Sequence, residues 1–148
     1  MNSSQKNNLE FSDPQFESFS DNTVLEELQE KIVEDNSVKY VLIKHDYYSS
    51  DSDHGRELLR SFLINLCESS FKSIIVYLVD VGTQLLDDSN PLYNDFNRLI
   101  DRSDMVIVDK DSPSFGYLSD PGNSKIILET PLSITEEILY LTDLLILE

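Results

Sequence analysis

The sequence holds a single cysteine, Cys67, in 148 residues. One thiol excludes an internal disulfide and fits a reducing compartment. Apolar runs are short, and none approaches the roughly 18–20 consecutive residues that span a bilayer. The opening Met1-Asn2-Ser3-Ser4-Gln5 lacks the basic-then-apolar pattern of a secretory leader. A cytoplasmic protein without a membrane segment is the resulting expectation. Positive charge is scarce as well: 11 Lys and Arg face 28 Asp and Glu, for a net charge of −17. Nucleic-acid phosphates demand clustered cations, and so does an anionic membrane, so neither partner is expected. A basic partner suits the charge better. Glycine is also sparse. Gly55, Gly82, Gly116 and Gly122 are the only four, and none has P-loop or dinucleotide-fingerprint spacing. No cofactor is expected.

What is present falls into two parts. Residues 1–37 carry 2 basic and 9 acidic side chains and read as an acidic arm. Residues 1–20 are too polar to offset the entropy of ordering, so disorder is expected there. Phe11, Phe16 and Phe19 interrupt the acids as a candidate docking segment. Over 22–35, Val24, Leu25, Leu28, Ile32 and Val33 share one helical face, which predicts a short amphipathic helix capped by Asp21 or Asn22. That stripe calls for a cover from this domain or another subunit.

Residues 38–148 alternate strand and helix patterns. Short apolar β-rich runs lie at 40–43, 73–79, 105–108, 125–128 and 143–147. Between them the spacing predicts a helix over 54–69, a helix opened by Asn90-Pro91, and a helix from the capping-box spacing Ser133-Ile134-Thr135-Glu136 to about Leu141. The alternation predicts a three-layer α/β fold: a mostly parallel five-stranded sheet with helices on both faces. Continuous rather than alternating apolar strands predict that both faces are covered.

Ligands of such sheets sit at the carboxyl ends of the strands. The candidate binding loops there contain Asp80, Gly82, Asp109, Lys110, Asp111, Ser112 and Ser114. The loop over 109–124 is longer than an ordinary connector, and Ser112, Ser114, Phe115 and Tyr117 are candidates to line a pocket. His45, Asp46, Asp51, Asp53 and His54 have metal-ligand chemistry but no recognised ligand spacing, and a solvated loop with Asp51 or Asp53 capping the next helix explains them equally. Asp46, Asp80, Asp109 and Thr130 at strand ends have the chemistry of a phosphoacceptor site, but no lysine follows the last strand to complete it. Cys67 falls on an apolar stripe near a helix C-terminus beside Glu68, a setting that opposes a thiolate.

The order of these motifs resembles a known family. The helix segment Asp53 to Leu63 is similar to a Leu-Gly-x-x-Leu-Met-x-x-Phe-Leu pattern. Strand Ile74-Ile75-Val76-Tyr77-Leu78 leads into Val81-Gly82-Thr83-Gln84-Leu85, where that family has Asn-x-Gly-Val-x-Leu. From Tyr40 to Leu147 the chain resembles the DsrE-like fold, most closely the C-terminal half of YedF-type, selenium-metabolism-associated proteins. The resemblance implies that fold, packing into homo-oligomers, and a sulfur-carrier or selenium-handling protein as partner. The family's loop after the third strand reads like Cys-Gly-Thr-Cys-Leu, and related sulfur-relay proteins carry a persulfide there. This chain has Asp109-Lys110-Asp111-Ser112-Pro113, which holds no sulfur. Nothing before Val38 resembles the Cys-Pro-x-Pro carrier domain of YedF-type chains.

The resulting expectation is a non-catalytic binding or interaction module, with no catalytic and no metal-binding residues. Two other readings stay open. One is a sulfur- or selenium-handling protein that uses a partner's cysteine. The other is a metal- or phosphoryl-dependent regulator that uses the strand-end acids.

Overall fold

The computed structural model describes residues 38–115 and 122–148. The arm over 1–37, with the amphipathic helix expected over 22–35, and Tyr117 lie outside the described residues. Within the unit Val38–Glu148 the chain runs β1 (Val38–Ile43), α1 (Asp53–Cys67), β2 (Ser73–Leu78), a 3-10 turn (Asp80–Leu86), α2 (Tyr93–Arg102), β3 (Met105–Asp109), β4 (Ile126–Glu129), α3 (Pro131–Leu139) and β5 (Leu144–Leu147). The strands form one sheet in the order β4-β3-β2-β1-β5. Every pair is parallel, which sharpens the expected "mostly parallel" sheet.

Side-chain alternation along these strands divides the core into two layers. One face presents Val41, Ile43, Val76, Leu78, Val106 and Val108 to α1 and α2, whose Leu59, Leu63, Phe96 and Leu99 are fully buried. The other presents Tyr77 and Ile107, with Leu42, Ile75 and Val79 around them, to Ile134 and Ile138 of α3. Helices therefore lie on both faces, but unequally. A sheet of five strands is roughly 24 Å wide, and a helix with its side chains covers about 10–12 Å. On its second face only the nine-residue α3 lies over the sheet among the described residues. On that face the outer strands are accordingly less covered than their apolar sequences predict, with Ile146 44% and Ile127 37% exposed.

Several boundaries differ from expectation for local reasons. Helix α1 is capped by Ser52, whose Oγ accepts from Gly55 N at 3.0 Å. Asp51 instead pairs with Arg56 at 2.6 Å, and Asp53 sits inside the first turn. Asn90 does not cap α2, which starts at Tyr93. Its Oδ1 accepts from Leu92 N at 2.9 Å, a tight Asx turn one step upstream. Helix α3 begins earlier than the Ser133 box predicts. Thr130 is the cap, accepting from Ser133 N, and Pro131 takes the first turn, where its missing N–H costs nothing. The 3-10 turn over Asp80–Leu86 had no periodic signal to announce it.

Candidate functional site at the carboxyl edge

All five strands point the same way, so their carboxyl ends form one edge. The connections there are held by backbone hydrogen bonds that continue the ladder. Lys44 N donates to Leu147 O (3.1 Å), Val79 N to Ile43 O (3.1 Å) and Lys110 N to Glu129 O (3.0 Å). Lys44, Val79, Asp109 and Glu129 thus follow one another across the sheet as a row, on the face that α3 covers.

The sequence-expected site residues occupy this edge in distinct roles. Asp80 starts the 3-10 turn with a left-handed φ of 50°, a conformation that costs a non-glycine residue about 1–3 kcal/mol. Its carbonyl accepts from Thr83 Oγ1 (2.8 Å) and from Ser112 Oγ (2.7 Å), and the two hydroxyls lie 3.0 Å apart. Ser112 and Ser114 are buried, and Ser112 Oγ also lies 3.3 Å from Ser114 N. These serines fasten the loop after β3 onto the 3-10 turn. Gly82 is buried because the turn crosses the end of β1 closely. Its N–H donates to Lys44 O at 3.0 Å, and a Cβ there would meet Ile43 O at 2.5 Å. Lys110 and Asp111 are exposed. Asp109 is half-buried, and its Oδ1 accepts from Asp111 N at 3.0 Å.

Among the described residues, two hollows open along the edge. A polar cleft of about 310 Å³ is lined by Gln84, Asp87, Ser89, Asn90 and Pro91. Behind it Asn90 Nδ2 donates to the buried Asp46 carboxylate at 3.1 Å. Ser89 donates to Asp87 through both its backbone and its hydroxyl, holding that carboxyl below its ordinary value. The second hollow is an apolar groove of about 320 Å³ under α3. Leu42, Val79, Pro131, Ile134 and Ile138 line it, with Lys44, Asp109 and Thr135 at its polar margin. Of the candidate site residues named from sequence, only Asp109 lines either hollow. The groove joins strand ends to a helix distant in sequence, so no local motif signals it.

The metal candidates disperse. Asp46 bonds Asn90, Asp51 pairs with Arg56, and His45 stacks on Tyr47 at 4.7 Å with its Nδ1 buried and unpartnered among the described residues. Among the described residues no three His, Cys, Asp or Glu side chains gather as a metal-binding group. Of the phosphoacceptor candidates, Thr130 serves as the α3 cap. Cys67 is the last residue of α1, which starts at the carboxyl edge and runs back to the opposite end of the sheet, about 21 Å away at 1.5 Å per residue. It is half-buried. Burial pushes its thiol pKa up, against the opposing pull of Arg98 and Arg102.

Beside the groove a third cluster joins Tyr77, Glu137 and Glu129. Tyr77 Oη donates to Glu137 Oε1 at 3.1 Å, and Ser133 Oγ donates to Glu129 at 2.5 Å. Burial first, then the Glu137 carboxylate, holds the Tyr77 hydroxyl well above its usual range. Glu137 is raised above the ordinary carboxyl value of 4.5, first by burial and then by Glu129, with the Tyr77 hydroxyl opposing. A folded-state pKa above the unfolded one means the folded chain binds the proton more tightly. This group's contribution is therefore whole below about pH 4.5 and is lost as the pH rises through the raised value. Glu137→Gln keeps an acceptor for Tyr77 and supplies a donor for Glu129. Relative to wild type, its urea midpoint should rise progressively from mildly acid to neutral pH. An offset independent of pH would contradict this reading.

No family model matches the chain, and no curated protein matches it. Among the described residues no helix is long and apolar enough to cross a membrane.

Proposed function

We propose that this chain is a non-catalytic binding module of the DsrE/YedF-like kind, acting through the carboxyl edge of its sheet. The observation that carries this reading is the loop after β3. Where the resembled family keeps its two loop cysteines, this chain has Asp109 and Ser112, the latter with its hydroxyl bonded to Asp80 O and beside Thr83. An alcohol cannot carry a transferable sulfane sulfur. The chain's one thiol sits at the other pole, with its pKa raised. The two hollows at the edge supply binding surface instead, one polar and one apolar.

Homo-oligomer assembly belongs to the same proposal. Leu132, Leu139 and Tyr140 on and beside α3 are 71–80% exposed, and Ile146 of β5 is 44% exposed. A run of large apolar side chains on a half-covered face is the kind of surface that another subunit buries. A link to sulfur or selenium metabolism rests on the resemblance alone. The version that borrows a partner's cysteine gains less support, because Ser112 and Ser114 are buried and internally bonded instead of presented outward.

Thiosulfate or polysulfide treatment of the folded chain, followed by intact-mass measurement, tests the non-catalytic reading. The expected result is an unmodified mass and slow alkylation of Cys67, because a half-buried thiol with a raised pKa is a poor nucleophile at neutral pH. A stable persulfide on Cys67 that passes to an acceptor thiol would overturn the proposal.

A further inference from the structure

The groove under α3 has chemistry specific enough to name a ligand class. Its walls are aliphatic: Leu42 and Val79 from the sheet, Pro131, Ile134 and Ile138 from the helix. At about 320 Å³ it lies at the small end of ligand pockets, roughly 300–1,000 Å³. Its margin carries one charge of each sign. Lys44 and Asp109 stand in the same register row on either side of Val79, so their backbones are about 10 Å apart, two strand spacings.

Both charges have capacity to spare. Lys44 Nζ is 2.6 Å from Glu148 Oε1, which occupies one of its three donor hydrogens. Asp109 Oδ1 accepts from Asp111 N, and its second oxygen has no partner among the described residues. A simple anion does not suit this margin. Asp109 lines it, Glu148 already pairs with Lys44, and the whole chain carries −17. A simple amine leaves Lys44 without a role. An apolar ligand that bears an ammonium and a carboxylate a few ångströms apart satisfies both ends and the walls together.

We propose that this groove binds a free apolar amino acid as its zwitterion, with the ammonium on Asp109, the carboxylate on Lys44, and the side chain against Leu42, Ile134 and Ile138. The inference rests on the reading of the carboxyl edge as a binding surface and names the ligand for one of its two hollows.

Titration calorimetry on the full chain tests it with four probes: L-leucine, N-acetyl-L-leucine, L-leucinamide and isopentylamine. L-Leucine is expected to bind saturably. Removing either charge forfeits a charge-assisted hydrogen bond, so the acetylated and amidated probes should bind about tenfold or more weakly. Asp109→Asn retains the acceptor for Asp111 N and should weaken leucine about tenfold while leaving the unfolding midpoint unchanged. Lys44→Met should weaken leucine but not leucinamide. The proposal is overturned if leucine gives no saturable heat, or if leucinamide or isopentylamine matches leucine, which would make the groove a simple amine site. Sulfur loading of Cys67 is measured separately, so a failed titration beside an unmodified thiol rejects this ligand and leaves the binding-module reading intact.

Discussion

Gly55→Ala should lower the urea midpoint of unfolding by an amount equivalent to about 3 kcal/mol, the upper end of the overpacking range. A Cβ on Gly55 would lie 1.8 Å from Ser50 O, 2.9 Å from Ser50 C and 3.1 Å from Tyr48 O. All three atoms are backbone, so no side-chain rotation relieves the clash. The loop itself is tied down. Tyr48 N donates to Gly55 O (2.9 Å), Ser49 N to Glu148 O (3.0 Å), and Ser49 is held at a left-handed φ of 75°. Making room for one methyl group means shifting the loop, its bond to the residue after β5, and the first turn of α1 together. Ser61→Ala on the exposed side of the same helix is the control and should stay within about 0.5 kcal/mol. If both variants unfold at the wild-type midpoint, the close approach of loop and helix is wrong.

Phe96→Ala is expected to cost about 3–5 kcal/mol. Phe96 is fully buried and is among the largest side chains in the core. It projects from α2 into the layer it shares with α1 and the sheet, where Leu59, Leu63, Leu99 and Ile100 are also at most 1% exposed. Neighbours on three elements prevent the site from collapsing around the void, so the cavity adds to the lost transfer energy. Tyr140→Ala removes an equally large ring from a position 80% exposed, and in the monomeric fold it should be nearly neutral. Urea denaturation of the pair checks the contrast. Equal losses would mean that Tyr140 is buried by something outside this chain's described residues, and a small loss at Phe96 would refute the packing of α2.

The strands were legible because they are dense in β-branched and aliphatic residues. Ser73–Leu78 and Met105–Asp109 match their expected positions to within a residue. Helices α1 and α2 were legible through their buried stripes of Leu and Phe. Caps were not, because Asp51, Ser52 and Asp53 are all competent and only the three-dimensional loop decides that Ser52 points at Gly55 N. The site divides in the same way. Strand-end position identified Asp80, Gly82, Asp109 and Ser112 as belonging to the edge. The sequence could not reveal that Ser112 turns inward to the Asp80 carbonyl while Asp109 turns toward a groove. Lys44 carries no local signal, because a lone lysine after a strand is ordinary. Its significance comes from register, which places Asp109 two strands over, and from α3, which roofs the space between them.

The pairing of β5 with β1 also sets a schedule for folding. Lys44 and its partner Glu148 are 104 residues apart, and the parallel ladder joins Tyr40 to Leu144 over the same span. On a ribosome adding about 5–20 residues per second, the outer edge of β1 would stand open for roughly 5–20 s before its neighbour is made. Among the described strands, the first to appear is one of the last to be enclosed. Until β5 emerges, a nascent chain keeps one edge of the apolar β1 open, and a chaperone that shields strand edges would do the most good while that edge waits.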